Sequence, residues 1–105
     1  MDGTSITYRG IDCRVVETVY DNGQPGLFLV VDGTPRSKEQ GYFDGQPLKS
    51  ITACLSHVNL SPRQALLAED ANPGILHVLE QSGVARNTGI EHSTAFAVLP
   101  VIELN

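Results

Sequence analysis

Two β-rich runs joined by Asn22-Gly23 constrain this chain more than any other feature. Asn-Gly is the strongest short hairpin signal, because both residues tolerate the positive φ of a type I′ turn. Before it, residues 11–20 carry the β-branched Ile11, Val15, Val16, Thr18 and Val19. After it, residues 26–32 contain the unbroken apolar run Leu27-Phe28-Leu29-Val30-Val31. A run without alternation points to burial on both faces, so this segment reads as a central strand. Residues 5–9 lead into the first run through Gly10 and add one more strand. The first third of the chain is therefore predicted to be a β-meander.

The middle of the chain is less patterned. Asp32-Gly33-Thr34-Pro35 is a turn, and residues 34–47, punctuated by Gly41, Asp44-Gly45 and Pro47, read as a loop. Tyr42-Phe43 within it either staple the loop to the core or form part of a contact surface. Residues 50–58 alternate Ile51, Ala53 and Leu55 with Ser50, Thr52, Cys54 and Ser56, the period of a half-buried strand. Residues 61–69 start as a helix would, with Ser61 as cap and Pro62 in the first turn, and their Ala and Leu content agrees.

The clearest helical signal follows. Asn72 caps, Pro73 opens, and Ile75, Leu76, Val78 and Leu79 make an apolar stripe that Gly83 terminates, with Val84 placed for a contact past the cap. Asn87-Thr88-Gly89 turns the chain into a last strand, residues 93–104, with Phe96, Val98, Val101, Ile102 and Leu104 apolar. Pro100 cannot donate to a ladder, so it marks an edge or a bulge. The predicted fold class is α+β: an antiparallel β-sheet of about five or six strands with one main α-helix packed on one face. At 105 residues the chain suits a single domain spanning 1–105.

Charge excludes one large class of function. Seven Lys/Arg against twelve Asp/Glu give a net charge of −5, and the basic residues are scattered singly except for Arg36-Ser37-Lys38. Direct nucleic-acid binding needs clustered Lys/Arg, so it is not expected. The acids are dispersed as well, which makes the charge a solubility setting and not a nucleic-acid-mimicking stripe. Met1-Asp2-Gly3-Thr4-Ser5 has neither a basic nor an apolar region, and the apolar runs are strand-sized. These features predict a cytoplasmic protein without membrane contact.

Catalytic patterns are weak throughout. His57, His77 and His92 share no helical spacing, and a metal site would need them to converge with Cys or carboxylates. Cys13 and Cys54 are isolated in strand-like apolar segments, where cysteines act as buried, reduced packing residues. Cys54 and His57, three apart on a strand, point to opposite faces and make a poor nucleophile pair. Glycine-rich phosphate loops and nucleophile-elbow glycines are missing from the sequence. Adjacent Glu69 and Asp70 diverge on a strand instead of pairing as acid and base. The expectation is a non-enzymatic protein with no catalytic, cofactor-binding or metal-ligating residues and no cofactor. A binding role remains, through exposed strand edges or a flat contact, with Tyr20, Tyr42 and Phe43 as candidate contact residues.

From Leu60 onward the chain resembles a known family. The resemblance rests on Leu60-Ser61-Pro62, Ala68-Glu69-Asp70-Ala71-Asn72-Pro73-Gly74, Ile75-Leu76 with Leu79, Ser82-Gly83-Val84, Asn87-Thr88-Gly89, Ser93-Thr94-Ala95-Phe96 and Pro100-Val101. It extends more loosely to Tyr8-Arg9-Gly10 and Asn22-Gly23. The family consists of small domains of unknown function carried on bacterial plasmids, conjugative elements and prophages. Ala95 departs from it, standing where the family tends to show Gly. The resemblance implies a strand for residues 64–69, against their helical propensity, and transfers no site residues. It also implies an accessory protein of a mobile genetic element, acting by protein–protein binding, with inhibition of a host defence nuclease complex as the concrete form. The alternative is a homo-oligomeric structural or small-ligand-binding domain, for which a dimer would pair through the Pro100 strand. A cysteine-dependent enzyme is a third reading.

Overall fold

The computed structural model describes residues 3–55 and 57–105. Its first three strands are β1 (Thr4–Tyr8), β2 (Ile11–Val19) and β3 (Pro25–Val31), antiparallel neighbours with Ile6 opposite Cys13 and Val15 opposite Leu29. A short helix, α1 (Pro35–Glu39), precedes β4 (Pro47–Ser50), which pairs with β3. Then come β5 (Thr52–Ala53), β6 (Gln64–Leu67), the second helix α2 (Ile75–Gln81), β7 (Ala85–Ser93) and β8 (Val98–Leu104). The described residues form two antiparallel four-stranded sheets, ordered β1-β2-β3-β4 and β5-β6-β8-β7.

This overturns the single sheet with one main helix. The seven residues of α2 span only ~10 Å at the α-helical rise, too little to cover a sheet with nine-residue strands. The sheets instead bury each other's apolar faces. Ile6, Cys13, Val15, Leu27 and Leu29 of the first sheet share one core with Ala65, Leu67, Ala85, Ile102 and Leu104 of the second. Helix α2 adds Ile75 and Leu79 to that core, and Tyr8 ties β1 to the helix entry by donating to the Pro73 carbonyl at 2.9 Å. A smaller cluster of Leu66, Leu99 and Val101 lies on the opposite face of the second sheet, packed against Leu55, Val58 and Leu60 of the β5–β6 loop.

The sheets are joined at Ile51, which is fully buried. Its N–H donates to the Leu27 carbonyl at 3.1 Å in the first sheet, and its carbonyl accepts from Ala68 N–H at 2.9 Å, just past β6. Residues 50–58 are therefore not one strand. The chain leaves the first sheet after Ser50, crosses at Ile51 and gives the second only Thr52 and Ala53. Beyond Ala53 the alternation continues in sequence alone, because the segment folds back as the loop over Leu66.

Turn chemistry differs from expectation in an instructive way. The two-residue turn with both central φ values positive lies at Arg9-Gly10 (φ 52° and 80°), between paired Tyr8 and Ile11. At Asn22-Gly23 only Gly23 is left-handed, at φ 86°. Tyr20 N–H bonds the Gln24 carbonyl at 2.8 Å, so the loop holds three residues, with glycine closing a type I turn.

Four further corrections follow. Residues 34–47 contain α1, whose Thr34 hydroxyl accepts from Ser37 N–H at 3.2 Å ahead of Pro35, a capping pattern hidden by the glycines and prolines around it. Asn87-Thr88-Gly89 does not turn the chain: it forms a bulge inside β7, where the pairing register shifts between Asn87 and Glu91, and residues 93–104 are not one strand but the last residue of β7, a turn and β8. Pro100 lies on β8, an interior strand and not an edge, where pairing with β6 has stopped; the other expectation, a bulge, is met beside it, in the β7 register shift that ends at its partner Glu91. Cys13 is buried as expected, but Cys54 is exposed, because the strand that was to bury it ends at Ala53.

Residues 64–69 take the extended form over Gln64–Leu67, against their helical propensity. Ala65, Leu66 and Leu67 are each buried, two toward the main core and one toward the smaller cluster. Helix α2 begins later than its sequence signals suggest. Asn72 is buried, its side-chain N–H donates to the Ala68 carbonyl at 2.9 Å, and its Oδ1 has no partner among the described residues. Left-handed Gly74 is the cap residue, and Glu69 supplies the missing acceptors, taking Gly74 N–H at 3.0 Å and Leu76 N–H at 3.1 Å. The helix exit matches expectation: Gly83 is left-handed and Val84 N–H bonds the Leu79 carbonyl at 3.0 Å, with both side chains against the core. Among the described residues no helix is long and apolar enough to cross a membrane.

Candidate protein-contact surface

The β7–β8 hairpin projects an apolar tip. Pairing between β6 and β8 stops at Leu66–Val101, while β7 and β8 continue through Glu91–Pro100, His92–Leu99 and Ser93–Val98. The Thr94 side chain organises the turn that follows. Its hydroxyl accepts from Phe96 N–H at 3.2 Å and from Ala97 N–H at 3.0 Å, and Thr94 N–H donates to the Ala97 carbonyl at 2.8 Å. Asp70 braces the base, accepting from Val98 N–H at 3.3 Å. These bonds occupy the backbone groups of the turn and turn the Phe96 ring outward, 98% exposed. Ile90 and Val98 are also open, at 59% and 41%. Leaving a phenylalanine in water forfeits roughly 1.5–3 kcal/mol of burial free energy, a gain that Phe96 leaves unused in this structure.

The candidate contact residues have different fates. Tyr20 is a structural anchor. Its ring lies over Gly26, where a Cβ would come within 2.6 Å of the ring, and its hydroxyl meets Thr52 Oγ1 at 2.8 Å across the joint between the sheets. Tyr42 is half-buried behind α1, with its N–H on the Ser37 carbonyl at 3.0 Å. Phe43 is 65% exposed and stays available for contact. Phe96 was placed within a strand by its apolar neighbours. The usable signal was Thr94 two residues before it, a residue able to close a side-chain turn.

Two polar constellations hold the first sheet. Asp12 accepts from Thr34 at 2.6 Å and Thr7 at 3.1 Å, and pairs with Arg36 at 3.1 Å, which pins α1 to β2. The Thr34 hydroxyl, more than Thr7 or Arg36, holds the Asp12 carboxyl below its ordinary range, against a smaller opposing effect of burial. Arg14 bridges Asp32 and Asp44 at 3.7 and 3.2 Å. Elsewhere Arg63, in a left-handed conformation at φ 71°, makes a two-pronged pair with Glu17 at 2.6 and 3.1 Å, and this pairing favours its charged form. The pair borders a cleft of about 410 Å³ between the β2–β3 turn and Leu60–Pro62. Every one of these carboxylates already has a cationic or hydroxyl partner, so the arrangements are structural. Among the described residues no three or more His, Cys, Asp or Glu side chains group to hold a metal ion. Glu69 and Asp70 lie in the turn after β6 and not on a strand, and their side chains diverge there, one to α2 and one to the hairpin.

Three of the four sheet edges are blunted, and the fourth is the five-residue β1 (Thr4–Tyr8). β4 is short and carries Pro47 and Lys49, and β5 has two residues. In β7 the bulge satisfies its own backbone, with Gly89 N–H on Asn87 Oδ1 at 3.0 Å and Ile90 N–H on the Thr88 hydroxyl at 3.2 Å. Strand addition along β7 is thereby disfavoured, and the hairpin tip offers side-chain contact instead. Comparison with known proteins found no matching family model, no matching curated protein and no matching solved structure.

Proposed function

We propose that this protein acts by binding another protein, without catalysis, and that the Phe96-tipped hairpin is the contact. The single observation carrying this reading is the 98% exposure of Phe96 on a turn braced by Thr94 and Asp70. A convex apolar knob on a rigid ribbon fits a pocket on a partner, and ordering it costs little because the turn is already formed. Phe43, also exposed, is a secondary candidate. The setting we propose is that of an accessory protein of a bacterial mobile genetic element, with inhibition of a host defence nuclease complex as the concrete form. That setting is supported by the resemblance of residues 60–101 to proteins of such elements.

The test compares the parent protein with Phe96→Ser as bait in a bacterial lysate. Because Phe96 contacts solvent, the variant should fold normally. The expected result is one stoichiometric partner captured by the parent and lost with the variant. Recovery of no partner, or equal recovery by both baits, would overturn the proposal. Sedimentation at several concentrations addresses the homo-oligomer alternative: a monomer throughout supports hetero-association, and a dimer abolished by Phe96→Ser refutes it.

A further inference from the structure

The fold brings together two histidines that lie 35 positions apart in the chain, in a way no local spacing reveals. His57 sits in the β5–β6 loop and His92 on β7, with ring centroids 6.0 Å apart and planes at 61°. His92 is paired with Leu99, on the sheet face where Leu55, Val58 and Leu60 of the same loop cover Leu66, Leu99 and Val101. The loop is also held by Gln24, whose side-chain N–H donates to the Val58 carbonyl at 3.0 Å. Both imidazoles are thus carried on elements positioned by packing.

We propose that His57 and His92 form a two-imidazole site for a divalent transition-metal ion of the zinc, copper or nickel class. A metal bound to two ring nitrogens at ~2.0–2.1 Å, with a roughly tetrahedral angle between them, places the centroids ~5–5.5 Å apart. The observed 6.0 Å is within 1 Å of the bound spacing, but the rings meet edge to face, so binding requires side-chain rotation that turns one nitrogen of each ring toward a common point. Imidazole is a borderline-soft ligand, so Mg²⁺ and Ca²⁺, which demand oxygen donors, are not bound. Exposed His57 leaves room for water at the other coordination positions. The ion would fasten the loop over the Leu66 cluster to the ribbon that carries Phe96.

Calorimetric titration of the full chain with ZnCl₂ at about pH 7.5 tests the site. One ion per chain is expected, with a matching rise in melting temperature. Loss of an outer-shell partner alone weakens metal sites ~10–100-fold, so His57→Gln and His92→Gln should each cost at least tenfold in affinity. His77→Gln, Cys54→Ser and replacement of ZnCl₂ by MgCl₂ are the controls: the two variants should bind as the parent does, and Mg²⁺ should not bind. No saturable Zn²⁺ binding, binding insensitive to both His57→Gln and His92→Gln, loss on Cys54→Ser, or one ion per two chains would each overturn the proposal. His57 is exposed, so its variant keeps the test decisive even if His92→Gln proves unstable.

Discussion

Replacing Glu69 with alanine should destabilise the protein by about 1–2 kcal/mol, through the helix it caps and not through its own burial. Helix α2 has seven residues, starts on a glycine with no capping side chain, and has no acidic residue in its first turn. A helix this short depends on packing and on its termini, since isolated helices below ~12–15 residues are marginal. Glu69 satisfies two of the orphan donors, Gly74 N–H and Leu76 N–H. Loss of a cap costs ~0.5–2 kcal/mol, and a carboxylate near an exposed helix N-terminus adds ~0.3–1 kcal/mol. The Gly74 bond is exposed, so water recovers part of it and the total stays near 1–2 kcal/mol. For a domain of this size each kcal/mol moves the melting temperature by ~4–8 °C. Thermal unfolding followed by circular dichroism should therefore show a drop of about 4–16 °C. Glu69→Gln, which keeps one acceptor oxygen, should fall between the two. Hydrogen exchange should accelerate at the amides of 74–78 before those of β2. A melting temperature within about 2 °C of the parent, or uniform acceleration across both sheets, would refute the capping argument.

Four further outcomes are expected. Leu79→Ala should cost ~2–5 kcal/mol in urea unfolding, because Leu79 is fully buried where both sheets and α2 meet. Gly26→Ala should cost ~1–3 kcal/mol by displacing the Tyr20 ring, more than the ~0.5–1.5 kcal/mol of Tyr20→Phe, which removes only the bond to Thr52; the reverse order would contradict the packing of that ring. Asp12 has its folded-state pKa depressed, so it adds stability that is fully present above the unfolded value and is lost as pH falls through the folded one. Thr34→Val should raise that pKa, so that less stability is lost along the acid limb of a stability-against-pH curve and the loss is complete at a higher pH. Thiol titration of the native protein should find one reactive cysteine, Cys54, with Cys13 reacting only after denaturation; burial pushes the Cys13 thiol up and shields it.

Sequence patterning was most informative where local chemistry and burial agree. The β2–β3 pair, the interior place of the Leu27–Val31 strand and the left-handed stop at Gly83 all follow from short-range signals, although Phe28 on the strand's second face is only half-buried. It failed where a distant side chain replaces the local one. Asn72 looks like a cap, but it is drawn inside, and Glu69 from three positions earlier takes the role. It failed again at Ile51, because alternation does not report that a strand changes sheet halfway along. The α+β reading came from giving the Ile75–Gln81 stripe a whole sheet to cover, when its two fully buried side chains fill only one end of a core between sheets. As for the candidate surface, Tyr20 adjoins a turn and Tyr42 and Phe43 lie in a loop, where exposed aromatics are expected. Phe96 escaped because an apolar residue among Ala97, Val98 and Leu99 looks like core until the turn is seen.

Ile51 has a consequence for how the molecule comes apart. One residue hydrogen-bonds into both sheets, and Tyr20 clasps Thr52 immediately beside it. Opening either sheet along this seam strips buried backbone groups from the other, so the halves have no separate route to unfolding. The protein should melt in a single cooperative transition, with the slowest-exchanging amides on both sides of the seam reporting the same global free energy. Two sheets stitched through one buried isoleucine behave as one folding unit.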